Sequence, residues 1–325
     1  MVRKIHASKK GRPVNGILIL DKPIGISSNS ALQQVKRLFE AQKAGHTGSL
    51  DPLATGVLPI CLGEATKISH YLLDADKRYR AKCVLGSVTT TGDSEGEIIA
   101  VSPVPDLKKE QLVQLLQSFL GTQEQTPPMY SALKHNGRPL YEYARQGINI
   151  ERKSRQITIK ELQLLDFQIH SEATELASFF EVEVLCSKGT YIRSLCEDIG
   201  QAIGCGGYIS ELRRLESGPF LLSDAVTLSF LQAQISHEGE LSDAEQIDLD
   251  KLLKPTDLAI KEFPVVQLSE PQFQDIQHGK AIEVDIETET KSNFVNFRLY
   301  FNNTLIALAI LDNDGKLKPK RLLFL

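Results

Sequence analysis

The chain is short of the features that mark several large functional classes. Its five cysteines, Cys61, Cys83, Cys186, Cys196 and Cys205, include no Cys-x-x-Cys pair. Neither a disulfide framework nor a zinc site is indicated, and small buried apolar groups are the expected role. No apolar run approaches the roughly 20 residues of a membrane helix, and no apolar segment follows the basic N-terminus as in a secretory signal. The expectation is a cytoplasmic protein with no membrane partner. A phosphate loop of the form Gly-x-x-x-x-Gly-Lys-Ser/Thr is missing, because the comparable glycine, Gly63, precedes Glu64. Gly204-Cys205-Gly206-Gly207 likewise lacks the spacing of a dinucleotide fingerprint. A net charge of −4 argues against coating nucleic acid through bulk electrostatics.

What is present fits one large domain and a smaller one: 325 residues, 42% of them hydrophobic, enough for a sizeable core. Charge is segregated. Arg3, Lys4, Lys9, Lys10 and Arg12 crowd the first residues without an acid, whereas Glu238, Glu240, Asp243, Glu245, Asp248 and Asp250 form a run without a base. The expected division is a basic tail over 1–15, a main domain over 16–237, an acidic linker over 238–257 and a small domain over 258–325. The basic tail reads equally well as a solvated end or as a phosphate contact.

The richest stretch is Gly45-His46-Thr47-Gly48-Ser49-Leu50-Asp51-Pro52-Leu53-Ala54-Thr55-Gly56-Val57-Leu58-Pro59. Three glycines let the backbone turn tightly or approach a ligand around a single carboxylate, Asp51. Pro52 pushes that aspartate toward an extended conformation, so it should sit on a stiff loop. By composition alone the run is a long surface turn. As a whole it resembles, nearly letter for letter, the catalytic motif of the TruB family, the pseudouridine synthases that act on the T-loop uridine of tRNA.

Around this motif the periodicities predict Gly16–Leu20 as a buried strand and a helix after Ser27 or Ser28 with Ala31, Leu32, Val35, Leu38 and Phe39 on its apolar face. A short helix is expected over 65–73. Residues 77–86 alternate as a strand with Tyr79, Ala81, Cys83 and Leu85 on one face. Asp106 is expected to cap a helix whose stripe is Leu112, Leu115, Leu116, Phe119 and Leu120. Residues 127–155 mix Lys134, His135, Arg138 and Arg145 with Tyr130, Tyr141 and Tyr143 and show little buried periodicity. They read as a long loop, suited to RNA by its cations and rings. In Lys188-Gly189-Thr190-Tyr191-Ile192-Arg193-Ser194-Leu195, residues i and i+2 can share a site only if the helix begins after Tyr191.

The resemblance extends to Leu20-Asp21-Lys22-Pro23, to Lys77-Arg78-Tyr79, to the Thr89–Gly96 turn, to the 127–155 insertion and to the Tyr191–Arg193 motif. It implies an α+β fold: a mixed, mainly antiparallel sheet flanked by helices, with a small C-terminal β-barrel of the PUA kind, to which the match is weaker. It also implies roles, with Asp51 catalytic, Tyr79 stacked on the target base and Arg193 paired with Asp51. Lys22 would lie near the site and Leu212 would line its pocket. Asp93 becomes a supporting carboxylate, since Thr90 stands where the family pattern has its first acid. Tyr191 would position the base or shuttle a proton, and His46 would fill the space a flipped base vacates. As a second reading, His46 is the proton partner of Asp51. Lys134 and Arg138 would contact phosphates in the insertion that clamps the tRNA hairpin.

The activity implied is isomerisation of uridine 55 of tRNA to pseudouridine, without cofactor or metal, by a monomer. Asp51 would begin it as a nucleophile or as a base. Two alternatives are a noncatalytic tRNA chaperone on the same fold and a guide-RNA-dependent relative.

Overall fold

The computed structural model describes residues 11–170, 177–235, 241–284 and 295–323. Arg3, Lys4, Lys9 and Lys10 of the basic tail, with Glu238 and Glu240, lie outside them.

The chain opens on β1 (Gly16–Lys22), whose run of apolar residues is buried on both faces. Such a strand must be covered on each side: Leu18 and Leu20 enter the main core, while Ile17 and Ile19 enter a second one with Val57, Cys61 and Phe220. Helix α1 (Ser28–Leu38) follows, with the Ser27 side chain accepting from the amide of Ser30 at its N-cap. Next come β2 (Ala44–His46), β3 (Thr55–Leu62), a 3-10 turn over Gly63–Lys67, α2 (Ser69–Leu73) and β4 (Lys77–Leu85). Along β4, Tyr79, Ala81, Cys83 and Leu85 are buried, as the alternation predicts. A two-stranded ribbon, β5 (Ser87–Thr89) and β6 (Ile98–Val101), precedes α3 (Lys109–Gln117) and β7 (Gly121–Gln125).

Asp106 does not cap α3. The N-cap is Lys108, whose amide donates to the Gln111 side chain at 2.8 Å, so a residue inside the first turn satisfies the orphan donor. Leu112 and Leu116 are buried on that helix, whereas Leu120 lies beyond its end and is exposed. The stretch read as a long loop contains the hairpin β8 (Lys134–His135) and β9 (Arg138–Pro139) and the short α4 (Leu140–Ala144). Its folding is local. Asn136 and Gly137 adopt positive φ at the turn, and Leu140 is the helix's one buried residue. These elements are too short to show a periodicity.

The long antiparallel strands β10 (Arg155–Gln168) and β11 (Phe179–Cys186) lead to α5 (Ile192–Ile203), β12 (Gly207–Ser217), β13 (Phe220–Leu221), β14 (Val226–Thr227) and α6 (Leu228–Ala233). Ten of these strands form one sheet in the order β14-β1-β3-β12-β4-β11-β10-β7, with β2 on β3 and β13 on β12. Only β1 with β14 and β3 with β12 pair in parallel, so the sheet is mixed and mainly antiparallel. The parallel seam places Gly56 of β3 beside Arg214 of β12. A Cβ at Gly56 would stand 2.1 Å from the Arg214 carbonyl oxygen, and its φ is +100°, so this close approach requires glycine.

The acidic stretch is not merely a linker. Its described part folds as α7 (Asp243–Asp250), capped by Ser242 and Glu245, and Arg12 grips Asp250 through two bonds of 2.6 and 2.7 Å. Leu241 and Leu249 join the main core. The C-terminal part comprises β15 (Val265–Gln267), α8 (Glu270–Gln277), β16 (Asn296–Phe301), β17 (Thr304–Leu311) and β18 (Leu317–Leu322). Where a small barrel was expected, the described residues form a four-stranded sheet in the order β15-β16-β17-β18 with no closing strand pair. It meets the main domain through Ile68, Ile260, Leu305, Leu308 and Leu323, a buried apolar seam.

Candidate active site

Asp51 sits on the loop between β2 and β3, and the backbone around it is held from outside. Ser28, at the start of α1, bonds both the amide and the carbonyl of Leu50 through its hydroxyl, at 2.7 and 2.9 Å. The carbonyl of Pro52 accepts from the Gly25 amide at 2.9 Å and from Lys22 Nζ at 3.4 Å. Lys22 is fully buried, and its ammonium also donates to the carbonyls of Pro23 and Ile26. Burial pulls its pKa down to about 8, against the attraction of Asp51 and Glu95.

The carboxylate of Asp51 opens into a cleft of about 270 Å³ also lined by Tyr79, Tyr191, Leu212, Arg193 and Arg214. Arg193 reaches it from the first turn of α5, with 3.0 Å between Nη2 and Oδ2. The approach depends on where α5 begins: Tyr191 is the N-cap, in extended conformation, and Arg193 is the second helical residue. Gln125 fixes that start, accepting from the Tyr191 amide at 2.8 Å and donating to its carbonyl at 3.0 Å.

Arg193 is a junction. Besides Asp51, its guanidinium binds the Asp93 carboxylate at 3.3 Å, the Thr91 carbonyl at 2.8 Å and the Tyr130 carbonyl at 2.5 Å. One buried cation thus ties the Asp51 loop to the Thr89–Gly96 turn and to the 127–155 insertion. Asp93 is itself buried and further held by Thr91 Oγ1 at 2.5 Å and the Glu95 amide at 3.1 Å.

The surroundings push the Asp51 carboxyl above its ordinary range: removal from water dominates, Arg193 opposes it, Asp93 adds repulsion and Lys22 attraction. A cation near 4 Å is worth on the order of 4 kcal/mol at an effective dielectric of about 20, so Arg193 is what favours the anion.

Two further cations line the cleft. Among the described residues Arg214 is the largest fully buried side chain, and it donates to the carbonyls of Val57 at 2.6 Å and Gly48 at 3.0 Å. Lys77 lies close by, bonded to the carbonyls of Leu73 and Ala75, and burial followed by repulsion from Arg214 lowers its pKa to about 8. Burial, then Arg214, also lowers the pKa of His46, which favours its neutral form. No hydrogen bond joins His46 to Asp51 among the described residues, and its Nδ1 is buried without a partner.

The structure therefore brings together Asp51, Arg193, Asp93, Tyr79, Tyr191 and Leu212, with Lys22 behind the loop and His46 beside it. It does not bring Lys134 and Arg138 to the cleft. They lie on the β8–β9 hairpin, where Arg138 pairs with Glu142 at 2.7 Å and stacks over Tyr143. Arg214 and Gln125 were not among the residues picked from the sequence, and Ser28 was picked only as a helix cap. A signal for Arg214 existed: in a strand it shares a face with Leu212, already expected at the pocket.

Comparison with known proteins is consistent with this geometry. Residues 36–192 match the N-terminal domain model of the TruB family pseudouridylate synthases, 193–261 the tRNA pseudouridylate synthase B C-terminal domain and 264–323 the pseudouridine synthase II TruB C-terminal model. The tRNA pseudouridine synthase B of Vibrio parahaemolyticus is 47% identical over 97% of this chain and 96% of its own. This chain belongs to the TruB family. A second relative, tRNA pseudouridine synthase B of Coxiella burnetii, is 47% identical over 98% of this chain and 97% of its own. The fold is shared with a chain in a solved Cbf5-Nop10-Gar1 complex at a TM-score of 0.66 and 24% identity, covering 94% of this chain and 84% of that one. Among the described residues no helix is long and apolar enough to cross a membrane.

Proposed function

We propose that this chain isomerises uridine to pseudouridine at position 55 of the tRNA T-loop, acting as a cytoplasmic monomer. The observation that carries the reading is the single carboxylate of Asp51 at the mouth of a cleft, 3.0 Å from a buried guanidinium that favours its anion. The reaction breaks the bond from ribose C1′ to N1 and makes one from C1′ to C5; the proton on C5 departs and N1 gains one, with no redox change. An anionic Asp51 opens it, by attack or by proton removal. Arg193, itself anchored by Asp93, holds that carboxylate in place.

The target base must leave its stack, at a cost of a few kcal/mol, and stacking on an aromatic ring returns roughly 1–3 kcal/mol. Tyr79 stacks on the base, a role supported by its place in the lining of the cleft beside Leu212 and Tyr191. His46, held neutral, fills the space the base leaves. Lys134 and Arg138 on the insertion contact phosphates of the hairpin, and the C-terminal sheet contacts the far end of the tRNA.

The same carboxylate separates an enzyme from an RNA chaperone. Asp51→Asn should lower pseudouridine formation on a tRNA transcript by at least about 1,000-fold while tRNA binding stays within a factor of about 3. Turnover surviving in that variant would refute the assignment. For the insertion, Lys134→Ala should weaken tRNA binding and reduce the slope of log K against log salt by about 1, as expected for one lost phosphate contact; an unchanged slope would remove Lys134 from the RNA interface.

A further inference from the structure

Among the described residues, the cleft is lined by a residue whose buried hydroxyl has no hydrogen-bond partner. The Ser131 hydroxyl is 4% exposed with its residue and has no hydrogen-bond partner among the described residues, yet Ser131 lines the same cleft as Asp51, Tyr191 and Leu212. Its backbone is pinned on both sides, the amide donating to the Met129 carbonyl at 2.9 Å and the carbonyl accepting from the Tyr141 amide at 3.1 Å. The preceding carbonyl, of Tyr130, accepts from Arg193, the cation that pairs with Asp51. A hydroxyl held this firmly, shielded from water and left unpaired, is unfavourable in the free protein and becomes favourable only when a ligand supplies the missing partner.

We infer that Ser131 is a substrate-contacting residue, its hydroxyl hydrogen-bonding a polar group of the extruded nucleotide, on the uracil edge or the ribose. The inference rests on the function proposed above. It gives the insertion a second task besides phosphate contact, because the loop then delivers a hydroxyl to the reacting nucleotide. Arg193 couples the two events: the guanidinium that favours the Asp51 anion also fixes the loop carrying Ser131.

The test compares Ser131→Ala with wild type on T-arm hairpins carrying uridine or 2′-deoxyuridine at the target. On the uridine hairpin kcat/KM should fall about 10-fold, with a melting temperature equal to or above that of wild type, since no protein bond is lost. A hairpin-binding deficit that disappears with 2′-deoxyuridine identifies the ribose hydroxyl as the partner, and one that persists identifies the base; both support the contact. Wild-type kcat/KM in Ser131→Ala overturns the inference. So does a fall in melting temperature, which would show that the protein itself uses the hydroxyl. Ser131→Cys, which keeps the volume and weakens the donor, should lie between the two. If the wild-type protein converts the uridine hairpin, any failure here concerns Ser131 alone; if it does not, the proposed function fails first.

Discussion

The cleft and the C-terminal sheet treat charge in opposite ways. Around Asp51, Lys22, Asp93, Arg193, Arg214 and Lys77 are all buried, held by backbone carbonyls or by each other. In the C-terminal part, Phe297, Leu299, Ala307, Ala309 and Leu317 fill the core without any accessible surface, and the ion pairs stand outside, such as Lys280 with Asp275 and Lys316 with Glu283. Burying charge costs stability unless every donor finds an acceptor, and apolar packing carries no such obligation. The C-terminal core is built for stability, whereas the cleft spends stability on placing charge around the Asp51 carboxylate.

The contrast can be broken first at Arg193. Arg193→Met leaves the 4% exposed Asp93 carboxylate without its cation, so stability should fall by about 3–5 kcal/mol in denaturant unfolding, and turnover should drop by more than about 100-fold. Arg193→Lys should restore little of either, since an ammonium cannot reproduce the fork that reaches Asp51, Asp93, Thr91 and Tyr130. A variant that kept full stability would mean the buried network is dispensable and the contrast false.

Leu299→Ala in the C-terminal core should cost about 2–5 kcal/mol, while turnover on an isolated T-arm hairpin, measured well below the unfolding transition, should stay within about 2-fold. Turnover collapsing with Leu299 would show that the sheet shapes the cleft itself.

The smallest effect sharpens the sign. The Asp51 carboxyl is raised in the folded protein, so its contribution to stability is full below the unfolded value of about 3.9 and is lost as pH rises through the folded value. Asp51→Asn removes that loss, and the variant should melt higher than wild type at neutral pH, the two converging in acid. The same elevation predicts that wild-type turnover declines on the acid side at a higher pH than an ordinary aspartate would give. Equal melting temperatures across the range would indicate that burial does not penalise this anion.

Much of the site was legible because it rests on local signals. Pro52 and the surrounding glycines announce a stiff loop, the alternation along β4 buries Tyr79, and two residues needed at i and i+2 place the start of α5 after Tyr191. The insertion was misread as a loop because a two-residue strand pair and a five-residue helix leave no period to detect. Arg214 escaped because Arg213-Arg214 looks like any surface pair. Only the packing of distant segments, with the carbonyls of Val57 and Gly48 accepting from its guanidinium, removes Arg214 from water.

By itself the amino-acid order determined the strands and helices that carry a clear period, such as β1, α1 and β4, which loop carries the lone carboxylate, and to which family the motifs point, since these depend on periodicity and turn chemistry within a few residues. Only the tertiary structure decided that Arg193 meets Asp93 across 100 residues, that Arg214 lines the cleft and that the Ser131 hydroxyl is left unpaired. Those facts depend on sheet register and on the exclusion of water, and neither exists until distant segments have packed together.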